Sequence, residues 1–61
     1  MNLINYATLA SSTADMFMTG KIKSQKDIVE VAKVWMSDLG VDFRTALVLI
    51  HNLVSKLAAI N

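Results

Sequence analysis

The stretch from Phe43 to Ile60 holds a helical period without a break, and it constrains the fold of this chain more than any other feature. At about 100° per residue, Phe43, Leu47, Ile50, Val54 and Leu57 fall in one stripe, and Ala46, Leu49, Leu53 and Ile60 widen it to roughly half the helix circumference. A face that wide needs more than one neighbouring helix to cover it. The chain must therefore supply further apolar helices, and its punctuation shows where they are.

The glycines at 20 and 40 divide the chain into three segments, each glycine standing where a left-handed residue would end a helix. Asn2 caps a first helix running to about Thr19, with Leu3, Tyr6, Ala10 and Phe17 inward and Leu9 and Met18 at the margins. After a short connector, Lys21-Ile22-Lys23, Ser24 and Asp27 approximate a capping box for the second helix. Ile28, Val31, Ala32, Trp35, Met36 and Leu39 form its apolar face, while Lys26, Glu30, Lys33 and Ser37 stay outside. Trp35 should be buried against the last helix. Val41 connects and Asp42 caps that helix, whose polar side carries Arg44, Thr45, His51, Asn52, Ser55 and Lys56. No window alternates with period two, and no proline interrupts a segment. The expectation is an all-α protein, a small three-helix bundle forming a single domain over 1–61, with helices at about 2–19, 25–39 and 43–60 and short connectors that favour antiparallel neighbours.

A chain of 6.7 kDa exposes about 9,700 Å² unfolded and about 3,900 Å² folded. Burying the difference, about 60% of it apolar, contributes on the order of 87 kcal/mol at about 25 cal/mol per Å². Ordering the backbone and side chains costs roughly 90 kcal/mol at about 1.5 kcal/mol per residue. The two terms cancel, so a monomer is marginal and burial against a second chain would help. Composition points the same way. Hydrophobic residues make up 54% of the chain and charged ones 18%, which leaves apolar surface over.

The chemical inventory is sparse. With no cysteine there is no disulfide, thiolate nucleophile or cysteine-rich zinc site. His51 is the only histidine, and the five acids lie between Asp15 and Asp42 without metal-ligand spacing. A lone histidine beside an apolar edge lacks the base, orienter and oxyanion partners that catalysis needs. Gly20-Lys21 lacks the remainder of a phosphate loop. The expectation is a protein that is not an enzyme and takes no cofactor, metal or small-molecule substrate. The longest apolar run, Ala46 to Ile50, is too short to cross a bilayer, and the last helix, with only Arg44 and Lys56 as charges, lacks the basic face of a membrane-active peptide. No basic residue precedes Lys21 and no secretory signal is legible, so the expected compartment is the cytoplasm.

What remains is surface. Asp15 is the only charged side chain before Lys21, so Asn5, Thr8, Ser12 and Thr19 present a polar but uncharged face that desolvates cheaply, beside the small side chains of Ala7, Ala10, Ser11 and Ala14. Val34 and Val48 each interrupt a polar helix face. Val34, Val48, Asn5, Thr8 and Ser12 are accordingly the candidate protein interface of a non-enzymatic interaction module that binds and modulates another protein as a homodimer. The second and last helices are expected to supply most of the dimer contact.

A DNA-binding regulator is the alternative. Ser24-Gln25-Lys26-Asp27-Ile28-Val29-Glu30-Val31-Ala32 resembles the first helix of a helix-turn-helix, although helix continues through Lys33-Val34-Trp35-Met36 where that motif would turn. The resemblance implies Lys21, Lys23 and Lys26 on phosphates, with Arg44, Thr45 and Asn52, together with Val48, facing bases. The net charge of +1 offers little long-range attraction for DNA.

Overall fold

The computed structural model describes residues 3–60, with only the backbone of residue 60. The proposed Asn2 cap lies outside the described residues. The chain forms α1 (Leu3–Met18), α2 (Gln25–Leu39) and α3 (Phe43–Ile60), and every pair of helices is in contact. Asn5 Nδ2 donates to the Asp38 carbonyl at 3.4 Å, and Thr13 meets Trp35, so α1 and α2 run antiparallel. Phe17 and Met18 share a groove with Val54, Leu57 and Ala58, which sets α3 parallel to α1. The result is an up-down-up three-helix bundle, and the expected α2 and α3 bounds agree with it residue for residue.

Local chemistry ends α1 and α2 and starts α2 and α3. At Gly20, φ +78°, the Lys21 N–H donates to the Met16 carbonyl at 2.8 Å and the Gly20 N–H to the Phe17 carbonyl at 3.2 Å, the paired bonds of a Schellman cap. That reversal delivers Ile22, which the sequence suggested was mere connector, into the core at 7% exposure. Ser24 and Asp27 form the reciprocal capping box: the Asp27 N–H donates to Ser24 Oγ, and the Ser24 N–H to the Asp27 carboxylate. Gly40, φ +66°, closes α2 with a single bond from its N–H to the Met36 carbonyl at 2.9 Å. Asp42 Oδ1 then accepts from the Thr45 N–H at 2.8 Å and starts α3.

The core is Ile22, Val31, Ala32, Trp35, Leu39, Ala46 and Ile50, with half-buried side chains from all three helices around it. Trp35 is fully buried, as expected, but the partners that define its position are on α1. Its indole Nε1–H donates to Thr13 Oγ1 at 3.0 Å, and its ring meets Tyr6 edge-on, centroids 5.7 Å apart at 88°. Thr13, which carried no signal as a core residue, is 2% exposed.

Three apolar side chains depart from expectation. Leu3 and Met18, expected inward, are 77% and 73% exposed, and Phe43, at the start of the α3 stripe, is exposed at 38%. Phe43 is the first residue of α3. Met18 follows from the rotation of α1, which turns Thr13 and not the Met18 side toward Trp35, and Leu3 is the first residue of that helix.

Candidate interaction surface

Among the described residues no group of three His, Cys, Asp or Glu could hold a metal ion, and His51 is exposed. Two carboxylates are shifted, both for structural reasons. Hydrogen bonding from the Lys23 backbone N–H, seconded by Ser24, holds Asp27 below the usual carboxylate range. Hydrogen bonding from Thr45, through hydroxyl and backbone N–H, does the same for Asp42. These are helix caps. No helix of the described residues is long and apolar enough to cross a membrane.

The residues expected to contact DNA separate into two groups. Lys21, Lys23 and Lys26 lie where α1 turns into α2, and Arg44 and Thr45 lie where α2 turns into α3, at opposite ends of a helix about 22 Å long. The Asp27 carboxylate sits among the three lysines, bonded to the Lys23 backbone N–H at 3.0 Å, and offsets part of their charge. Thr45 is engaged in the Asp42 cap. Asn52 stands on the exposed side of α3, two turns beyond Arg44. This arrangement places the lysines at the far end of α2 from Arg44 and Thr45, while Asn52 lies about 12 Å from Arg44 back along α3 toward the lysine end.

The protein-interface candidates distribute differently. Asn5 is engaged with the end of α2 through the Asp38 carbonyl. Val34 and Ser12 come together, lining a groove of about 220 Å³ between α1 and α2 with Leu9, Thr13, Met16, Glu30, Val31 and Trp35. Thr8 and Ser12 also belong to an open trough along the outside of α1, with Ala7, Ser11, Ala14, Asp15 and Met18. Ser12 therefore joins the two depressions. Val48, 53% exposed, lies about 160° around α3 from the buried Ile50 and lines none of these grooves.

The outer face of α1 is more apolar than its sequence suggests. Ile4, on the same side as Ser11 and Met18, is 77% exposed and was not among the candidates. Its signal was present in the seven-residue spacing of Ile4, Ser11 and Met18, which returns to one face every two turns. The Thr8 hydroxyl donates back to the Ile4 carbonyl at 3.0 Å, so its hydrogen bond is already made inside the helix and its methyl is what it offers outward. The structure exposes 4329 Å², against about 3,900 Å² for a compact chain of this mass. No protein-family model matches the chain, and no curated protein or solved structure matches it either.

Proposed function

We propose that this protein is a small non-enzymatic interaction module, one that self-associates and acts by binding and modulating another protein, in the cytoplasm. The observation that carries this reading is the second apolar face of α1. Ile4 and Met18, on that face, are 77% and 73% exposed, on a helix whose opposite side already completes the core. A monomer gains nothing from large apolar side chains in water, whereas an interface does. The lone charge on that helix, Asp15, keeps the desolvation cost low.

Sedimentation velocity between about 10 µM and about 1 mM tests the self-association, because mass action must raise the weight-average mass with concentration. A single 6.7 kDa species throughout would remove it.

A further inference from the structure

We propose that α1 is the self-docking helix: two copies cross antiparallel at Ser11, bringing Ile4 and Met18 of each copy against Met18 and Ile4 of the other. This rests on the self-association reading above and assigns it a direction and a surface, on α1 instead of the second and last helices from which the sequence predicts most of the contact. Ser11 is the midpoint between Ile4 and Met18, and all three share one face of α1. A two-fold axis through Ser11 maps that face onto itself, as an isologous dimer requires.

The order of sizes selects a crossed geometry. Packed helices crossing at about 50° approach to about 8 Å at the crossing and lie about 12 Å apart some 10 Å along each axis, which is where Ile4 and Met18 stand. Small side chains fit the crossing point, and α1 has Ala7, Thr8, Ser11 and Ala14 there. Large side chains are needed to bridge the widening ends, and those ends carry Ile4 and Met18, 77% and 73% exposed.

Charge selects the direction. A parallel crossing would set Asp15 beside Asp15 of the second copy, a like-charge contact in a partly dehydrated site. The antiparallel crossing sets Asp15 opposite Ala7 of the second copy and keeps the two carboxylates about 12 Å apart along the helix.

Area sets the strength. An arc about 14 Å wide over about 21 Å of helix gives about 300 Å² per copy, about 600 Å² in total. Stable interfaces begin near 1,200 Å² in all, roughly twice that value. The trough continues through Ser12 into the groove beneath Val34, which adds contact at its edge. The dimer is consequently weak and transient.

The protein has no cysteine, so single-cysteine variants at exposed positions report the geometry directly. Ser11→Cys, Ala7→Cys and Val48→Cys are compared at about 500 µM in a thiol–disulfide exchange buffer, with helix content checked by circular dichroism. Ser11→Cys should form a covalent dimer at least ~10-fold faster than Ala7→Cys, whose two copies lie about 12 Å apart along the axis, beyond disulfide reach. A mixture of Ala7→Cys and Asp15→Cys should give the mixed disulfide. If Ala7→Cys links to itself as fast as Ser11→Cys, the antiparallel crossing is wrong, and if Val48→Cys is fastest, the face is wrong. In either case a wild-type protein that still associates by sedimentation leaves the broader reading standing. A wild type that stays monomeric at about 1 mM overturns both.

Discussion

Replacing Thr13 by valine removes one oxygen from the interior at nearly constant volume and strands the indole N–H of Trp35. Thr13 is 2% exposed and Trp35 is fully buried, and the bond between them is 3.0 Å long. An unpaired buried donor costs about 1–3 kcal/mol. The added methyl recovers up to about 0.8 kcal/mol, and valine and threonine have similar helix propensities. The net loss is about 1–2 kcal/mol, a substantial share of the roughly 3–9 kcal/mol expected for a chain of this length. At about 4–8 °C per kcal/mol for a domain this small, Tm should fall by roughly 10 °C. Thr13→Ser keeps the acceptor and loses only a methyl, about 0.8 kcal/mol. Urea unfolding followed by circular dichroism, at unchanged m-value, ranks the three proteins. The reasoning fails if Thr13→Val matches wild type, or if Thr13→Ser proves the less stable of the two variants.

Stability should also depend on acid pH through the two caps. Because Asp27 and Asp42 have lowered folded pKa values, their contribution is complete above the unfolded carboxylate value of about 3.9 and is lost as pH falls through the depressed folded values. Tm should hold from neutrality to about pH 5 and decline below it, less steeply in an Asp27→Asn/Asp42→Asn variant; equal slopes would exclude the caps as the cause. Gly40→Ala should cost about 1 kcal/mol from the left-handed backbone alone, since a Cβ there meets nothing within 4 Å, and a loss several times larger would point to a contact not seen here. Duplex DNA should show no binding at physiological salt, with the lysines and Arg44 at opposite ends of α2; a salt-dependent affinity that drops in Lys23→Ala would reinstate a nucleic-acid role.

What could be read before the structure, and what could not, divides by the range of the interactions involved. The start and stop of α2 and the start of α3 were legible because each rests on groups within five residues: Ser24 with Asp27, Gly40 with Met36, and Asp42 with Thr45. The apolar faces of these helices were legible because each holds one dominant stripe. The α1 helix holds two. Leu3, Tyr6, Ala10 and Phe17 make one, Ile4, Ser11 and Met18 approach another, and periodicity alone cannot say which should face inward. Neither could it reveal that Ile22, after the Gly20 reversal, would reach the core.

The choice between the α1 faces comes from a bond between residues 22 positions apart. Trp35 is the largest side chain in the core, and once buried it needs an acceptor for its N–H. The Thr13 hydroxyl supplies it, which fixes the rotation of α1 about its own axis. Tyr6, seven residues and about two turns before Thr13 on the same side, then meets the indole at 88°. The opposite side, with Ile4, Ser11 and Met18, is left in water as a consequence of satisfying the core. The surface on which the proposed self-docking depends is thus held in place by a buried hydrogen bond on the far side of the same helix. If so, Thr13→Val should do more than lower Tm. By loosening the rotation of α1 it should slow Ser11→Cys cross-linking under conditions where the protein remains folded, and a rate unchanged from that of Ser11→Cys alone would show that the two faces of α1 are independent.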